Sequence, residues 1–303
     1  MGPTASGKTE LAISLCKRFP CDIISVDSAL VYRGMNIGTA KPDAETLRRA
    51  PHQLIDVRDP EESYSAGDFV RDARAAIELS IANGRIPLLA GGTMMYFRAL
   101  TEGIADLPAA DEEVRQQIDR EAEHKGWPAM HAELATIDTV VAARLNPNDS
   151  QRIQRALEVF RISGKPLSEW QRDAAAIAGD SNLGYVKIAL QIEPRKLLHD
   201  RIELRLDQMI ANGFEEEMQI LRARPGLVKD SSAMRSVGYR QFWAYLDGDY
   251  SAREARDRTL FATRQLAKRQ LTWLRSENDV FSVDPLEAGI KDTISAHLAR
   301  KLR

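Results

Sequence analysis

Gly2-Pro3-Thr4-Ala5-Ser6-Gly7-Lys8-Thr9 reads G-x-x-x-x-G-K-T, the loop pattern with which nucleotide-binding, ATP-binding chains cradle phosphates. The chemistry explains the spelling. Two glycines let the backbone curl until several N–H groups point at one anion. Lys8 adds a point charge for the terminal phosphates, and the Thr9 hydroxyl can hold Mg2+. The run that follows, Thr9-Glu10-Leu11-Ala12-Ile13-Ser14-Leu15, reads as a helix, which sets the loop on a helix N-terminus where the dipole favours negative charge. The competing reading is a Gly-rich turn that merely caps this helix. A phosphate loop is expected to follow a buried strand, and only Met1 precedes Gly2; either the start of the chain is trimmed or the strand is short.

Working outward, Ile23-Ile24-Ser25-Val26 reads as a buried parallel strand with Asp27 at its C-terminal end. Ligands of open α/β sheets gather beyond the carboxyl ends of the strands, so Asp27 is expected to face whatever the loop holds. A turn-forming Asp before Ser28 is the alternative. Tyr32-Arg33-Gly34 and Gly38-Thr39-Ala40-Lys41-Pro42 form a polar loop that suits a lip above the site, or a plain solvated connection. His52-Gln53-Leu54-Ile55-Asp56-Val57 reads as another strand, and residues 65–82 as a helix with Phe69, Val70, Ala73, Ile77 and Ile81 at helical spacing. Ile86-Pro87-Leu88-Leu89-Ala90 reads as a third buried strand running into Gly91-Gly92-Thr93, a second place where backbone can approach phosphate. Thr93 is either a donor to a leaving oxygen or the N-cap of the next helix.

The 303 residues suit one large domain or two ordinary ones, and 44% hydrophobic with 28% charged residues is an ordinary globular balance. A net charge of −2 means that any nucleic-acid surface must come from local clustering. Cys16 and Cys21, and the five histidines, have no metal-ligand or redox spacing. No apolar run approaches a membrane span and no signal peptide is visible, so the expected compartment is the cytoplasm, with no membrane involved.

From about Leu107 the strand signals stop. Residues 109–136 are acidic and helical in pattern, with Val114, Ile118, Met130 and Leu134 as core candidates. Asn146-Pro147-Asn148-Asp149 caps an amphipathic helix, Ser150-Gln151-Arg152-Ile153-Gln154-Arg155-Ala156-Leu157-Glu158-Val159-Phe160-Arg161, which Ser163-Gly164-Lys165-Pro166 ends. Residues 173–184 look like a linker. A strand at residues 185–192 is expected to resume the sheet, which makes the first domain discontinuous: residues 1–106 and 183–303, with 107–182 a helical insertion. The helix after this strand carries Arg201 and Arg205 on one face, either as a lid over phosphates or as ion-pair partners of Glu203 and Asp207. Two basic runs close the chain: Arg235-Ser236-Val237-Gly238-Tyr239-Arg240-Gln241, and a two-faced helix in which Leu260, Ala267, Leu271 and Leu274 make the apolar stripe and Arg264, Lys268 and Arg275 the cationic one. Cations interleaved with Tyr239 and Trp273 suit unpaired RNA; a solvated charged helix is the alternative for either run alone.

Taken together, the Gly2–Thr9 loop, Ser25-Val26-Asp27-Ser28-Ala29-Leu30, Gly38-Thr39-Ala40-Lys41-Pro42, Gly91-Gly92-Thr93-Met94, Asp149-Ser150-Gln151-Arg152, Val237-Gly238-Tyr239-Arg240-Gln241 and Lys268-Arg269-Gln270-Leu271-Thr272-Trp273-Leu274-Arg275 resemble the bacterial tRNA dimethylallyltransferase (tRNA isopentenyltransferase) family over nearly the whole chain. The resemblance implies an α/β fold, with a P-loop nucleotide-kinase-like parallel sheet core and an inserted all-helical domain that embraces a tRNA anticodon stem-loop. It implies transfer of a dimethylallyl group from dimethylallyl diphosphate, with Mg2+, to the exocyclic amine of the adenine 3′ of the anticodon. The implied roles are Gly2, Pro3, Thr4, Ala5, Ser6, Gly7, Lys8 and Thr9 around the diphosphate, Thr9 on the metal, and Lys8, Arg240 and Thr93 on the departing pyrophosphate. Asp27 is the implied general base, acting on a flipped adenine. Asp27, Ser28, Ala29, Leu30 and Thr93 are expected against the RNA, with Arg115, Gln151, Arg152, Ile153, Gln154, Arg155, residues 235–240 and residues 268–275. A monomer is expected. The chain departs from the family in its nearly absent first strand, and it lacks the C-terminal zinc finger of eukaryotic relatives. Three other readings share parts of this pattern: a nucleoside-monophosphate-type kinase, a prenyltransferase of free adenine nucleotides, and a non-catalytic RNA-binding protein.

Overall fold

The computed structural model describes residues 1–105, 107–178 (side chains to 174) and 184–302. It divides into two compact units, one formed by Met1–Phe97 with Gly184–Arg303 and the other by Arg98–Leu183. In chain order the elements are α1 (Lys8–Cys16), β1 (Cys21–Val26), α2 (Ala44–Arg49), β2 (His52–Gln53), α3 (Ala66–Ala82), β3 (Ile86–Gly91), α4 (Met94–Glu102), α5 (Glu112–Lys125), α6 (Trp127–Ile137), α7 (Thr139–Ala142), α8 (Ser150–Ser163), α9 (Leu167–Ala178), β4 (Lys187–Leu190), α10 (Arg195–Ala211), α11 (Phe214–Arg222), α12 (Tyr239–Leu246), α13 (Ala252–Arg275), β5 (Val280–Val283) and α14 (Ile290–Lys301). The result is a mixed α/β fold with small parallel sheets and many helices.

The first unit holds the sheets. Strands β2, β1 and β3 are parallel in that order, with Ile23 beside His52 and Leu88, and Val26 beside Gly91. The register brings Asp27 and the Gly92-Thr93 junction to the same carboxyl edge. Strand β1 is buried along most of its length, as its apolar run requires, whereas β3 is half-buried because it is the sheet's edge. The second strand is much shorter than its apolar residues suggest. Leu54 and Asp56 take φ of 62° and 56°, left-handed values that break an extended ladder two residues after it starts.

The strand expected to resume the sheet, β4, pairs instead with β5 in a separate parallel ladder. Met1 adjoins it: its amino group donates to the Ile188 carbonyl at 2.7 Å, and the Leu190 amide donates to the Met1 carbonyl at 2.9 Å. The phosphate loop therefore springs from beside β4. Leu88 packs into both neighbouring apolar clusters, one around Leu15, Leu190 and Ile294 and the other around Ala12 and Ile23, so α1 is held from two sides.

The second unit is helical. Ile118, Met130, Leu134, Ile153 and Leu157 form its core, with Val114 partly buried against it. Asp149 caps α8 by accepting from the Arg152 amide, and Gly164 ends it in the left-handed region. The linker read at residues 173–184 is helical to Ala178, the end of α9; residues 179–183 of that reading, and residue 106 at the other boundary, lie outside the described residues. Among the described residues no helix is long and apolar enough to cross a membrane.

Candidate active site

The Gly2–Thr9 loop has the geometry its spelling requires. Ala5 and Gly7 lie in the left-handed region (φ 62° and 87°), and no side chain caps the start of α1, which leaves its first amides for a ligand. A side chain at Gly2 would bring a Cβ within 2.8 Å of the Ser6 hydroxyl and 3.1 Å of Leu190, so only glycine fits where the loop leaves β4. Lys8 folds back, donating from Nζ to the Pro3 carbonyl at 2.6 Å. Desolvation lowers its amine to about 8, against the opposing pull of Asp27, and nearby Arg205 adds to the lowering.

A cleft of about 480 Å³ opens over this loop, within the range of small-ligand sites. Thr4, Ala5, Lys8 and Thr9 form one side. Asp27, Ser28, Ala29 and Leu30 from the end of β1, and Gly92 and Thr93 from the end of β3, form the next. Asp27 acts partly as the turn former of the alternative reading. Its Oδ1 accepts from the Ala29 amide at 2.9 Å and the Leu30 amide at 3.3 Å, which fixes the carboxylate at the strand tip. The Thr93 hydroxyl accepts from the Ser28 amide at 3.0 Å, joining the tips of β1 and β3.

Helices α10 and α13 supply the remaining wall. Ile202, Arg205, Leu206 and Met209 of α10 face the cleft at one-turn spacings. Arg205 donates to the Thr39 carbonyl at 3.3 Å, and Arg201 to the Ala5 carbonyl at 2.9 Å. Glu203 and Asp207 pair with Arg256 and Arg264 instead, so the ion-pair reading of Arg201 and Arg205 fails. Burial lowers the Arg205 pKa, and the Asp27 carboxylate opposes that shift. From α13, the buried Gln270 accepts from the Thr4 amide at 2.9 Å and donates to the Gly92 carbonyl at 2.8 Å. One side-chain amide thus ties the phosphate loop to the β3–α4 junction. Arg269 and Trp273 lie on the same cleft wall.

Several residues read as RNA or catalytic contacts are placed elsewhere. Arg240 is exposed on α12 and is not among the residues lining the cleft, whereas Arg205 lines it. Tyr239 borders the cleft but is fully buried with its hydroxyl on Glu217 at 2.6 Å, which removes it as a free stacking surface. Leu271 and Leu274 are core residues of α13, and Ile153 a core residue of α8. Arg115 and Arg155 both bond the fully buried Glu158, at 2.9 and 2.7 Å, so they hold their own unit together. Gln154 bonds Asp119 at 2.6 Å. Arg235, Ser236, Val237 and Gly238 do line the cleft, and Gln151, Arg152, Lys268, Arg269, Thr272 and Arg275 are exposed. Periodicity could separate the faces of α13 in advance; it could not show that Gln270 bridges two loops far away in sequence.

The IPP transferase family model matches residues 30–277. The chain belongs to the IPP transferase family. It is 52% identical over 303 residues to a tRNA dimethylallyltransferase of Thiobacillus denitrificans, covering all of this chain and 96% of that relative. Among solved structures, this family member is similar to the full-length tRNA isopentenylpyrophosphate transferase of Bacillus halodurans (37% identity, TM-score 0.72, 99% of this chain and 94% of that one). It is also similar to the tRNA delta(2)-isopentenylpyrophosphate transferase of Staphylococcus epidermidis (32% identity, TM-score 0.71, 99% and 97%). Residues 2–9 precede the matched span, so the phosphate-loop reading of this IPP transferase stands on the loop's own spelling and geometry.

Proposed function

We propose that this chain transfers a dimethylallyl group from dimethylallyl diphosphate to the exocyclic amine of the adenine 3′ of the anticodon in tRNA, and releases diphosphate. One observation carries the chemistry: a carboxylate, Asp27, and two cations, Lys8 and Arg205, line the same cleft over a loop of free amides. Family membership and the naming of the 52% identical relative supply the substrate class. The core is read as a P-loop, kinase-like sheet whose loop binds phosphate charge regardless of the group attached to it.

In the reaction the adenine N6 forms a bond to the allylic carbon as the carbon–oxygen bond to diphosphate breaks. The electron pair leaves with the diphosphate oxygen. Lys8, Arg205 and the loop amides stabilise that developing charge. The N6 proton passes to Asp27; its Oδ1 is held by two amides, so Oδ2 is the oxygen read as the base. The base must leave its stack to reach the cleft. Thr93, tied to Ser28, keeps the two strand tips in register around the reacting atoms.

The donor set fits Mg2+. Thr9 lines the cleft beside Lys8, and Mg2+ keeps several waters and takes its anionic ligands from substrate phosphates. A preformed carboxylate cluster is therefore unnecessary, and none occurs among the described residues. Bound there, the ion would neutralise diphosphate charge. On the RNA side, Arg152, Lys268, Arg269 and Arg275 are proposed as phosphate contacts and Trp273 as a surface near the flipped base. Incubation with ATP, dimethylallyl diphosphate and an anticodon stem-loop tests the reading. Consumption of the prenyl donor with prenylated RNA supports it, and consumption of ATP with neither overturns it in favour of a kinase.

A further inference from the structure

Glu217 of α11 is 7% exposed, does not itself line the cleft, and carries four hydrogen bonds. Its Oε2 accepts from the amides of Asn36 and Ile37, both at 2.7 Å. Its Oε1 accepts from the Gly38 amide at 3.1 Å and from the Tyr239 hydroxyl at 2.6 Å. Three successive backbone amides turned onto one carboxylate form an anion nest filled from inside the protein. The loop so held also has no room to shift. A Cβ on Gly38 would come within 2.2 Å of the Phe214 ring and 2.7 Å of the Tyr239 ring, so the backbone lies directly on the aromatic pair. Immediately beyond the nest, Thr39, Ala40 and Pro42 line the cleft, and the Thr39 carbonyl is the acceptor that orients the Arg205 guanidinium.

We infer that Glu217 is a positioning residue for the transfer. Its carboxylate clamps residues 36–38 so that the Thr39 carbonyl aims Arg205 at the departing diphosphate. The chain of contacts is continuous: α11 carboxylate, loop amides, Thr39 carbonyl, Arg205, cleft. Among the described residues Arg205 has a soft hold on the protein, a 3.3 Å bond to the Thr39 carbonyl. Its direction is therefore set by where that carbonyl stands, and the carbonyl stands where the nest puts it. A charged acceptor suits this task better than a neutral one, because hydrogen bonds to a carboxylate are roughly twice as strong as neutral ones. This inference rests on the reading that Arg205 touches the donor's diphosphate.

The test is a double-mutant cycle on the full chain with Glu217→Gln and Arg205→Ala, measuring kcat, the KM of each substrate, and the affinity for inorganic pyrophosphate by calorimetry. Replacing one carboxylate oxygen by an amide NH2 turns a donor toward the nest. Glu217→Gln is expected to lower kcat/KM for the prenyl donor by about 10- to 100-fold, the scale of a misplaced catalytic group, and to weaken pyrophosphate binding, with the KM for RNA unchanged. In the Arg205→Ala background the same substitution should change donor kinetics by less than about twofold, because its route to the diphosphate is already gone. Independent, multiplying losses would overturn the inference and make Glu217 a core support only. An Arg205→Ala variant with unchanged donor kinetics would instead overturn the underlying reading of Arg205. If circular dichroism shows that Glu217→Gln fails to fold, Tyr239→Phe, which removes one of the four bonds, is carried through the same cycle with the same two outcomes at smaller amplitude.

Discussion

Asp27 and Lys8 show how one residue is asked to serve structure and chemistry together. Asp27 uses one oxygen to fix the turn after β1, and on the proposed mechanism the other is the base. Asp27→Ala should therefore lower turnover by about 100-fold or more, with little change in RNA affinity; single-turnover prenylation with a filter-binding control measures both, and unchanged turnover would eliminate its role as base. Lys8 makes a pH prediction. Its amine is lowered from 10.5 to about 8 in the folded chain, so it is charged below that value and neutral above it. On the proposed reading, pyrophosphate binding needs the charged form. Affinity should thus be full below about 8 and fall by about tenfold per pH unit above it, since each unit removes nine-tenths of the remaining ammonium. The sign for folding is opposite. Between about 8 and 10.5 the unfolded chain holds a proton that the folded chain has released, so this one group makes the protein more stable as pH rises. Lys8→Arg, charged throughout this range, should flatten the binding profile while keeping part of the affinity. Both residues were legible in the sequence because a motif fixes their types and spacing. Arg205 was legible only as a candidate, since its alternative partners, Glu203 and Asp207, were equally near in sequence and only the fold shows them taken by Arg256 and Arg264.

At the scale of elements, α8 shows where a pattern stops informing. Its period reads as an amphipathic helix, yet Ile153 and Arg155 were both expected against the RNA, and the fold buries Ile153 with Leu157 in the core. The partner that claims Arg155, Glu158, is one turn away on the same helix, and the same carboxylate is claimed by Arg115 from α5. A buried acid has to be neutralised from every side available, and spacing within one helix cannot reveal a partner on another. The strand read at residues 52–57 failed for a related reason: apolar content suggested an extended run, and left-handed backbone at Leu54 and Asp56 ended it. The Glu158 clamp yields a stability prediction. Despite burial, its two arginines and the Asp111 amide hold the Glu158 carboxyl below the usual value of 4.5. The stabilisation is present above that value and is lost as pH falls through the lower folded one. Glu158→Gln strands two arginines against a neutral amide and should destabilise the helical unit by about 3 kcal/mol. Urea melts at neutral pH and at low pH check it: the difference from the parent chain should be large at neutral pH and shrink in acid.

For the whole molecule, a net charge of −2 has to be reconciled with a polyanionic substrate. The chain as a whole cannot rely on a bulk field, so RNA affinity must come from individual exposed cations and must carry their signature in salt. The structure sorts the arginines and lysines that the sequence could only group. Arg152 pairs with Asp149 at the start of α8 yet stays 72% exposed, and Lys268 is exposed on α13, whereas Arg155 is committed to the fully buried Glu158. Each single-stranded phosphate contact adds about 0.7, and each duplex contact about 0.9, to the slope of log affinity against log salt. Arg152→Ala and Lys268→Ala should each reduce the slope by roughly that amount. Because they belong to separately packed units, the double variant should lose the sum of the two. Arg155→Ala is the internal control: it should lower the melting temperature of the helical unit while leaving the salt slope of the folded protein unchanged. Stem-loop binding measured across a range of potassium chloride decides among these. A slope lost with Arg155 and kept with Arg152 would reverse the assignment of structural and RNA-facing cations on α8.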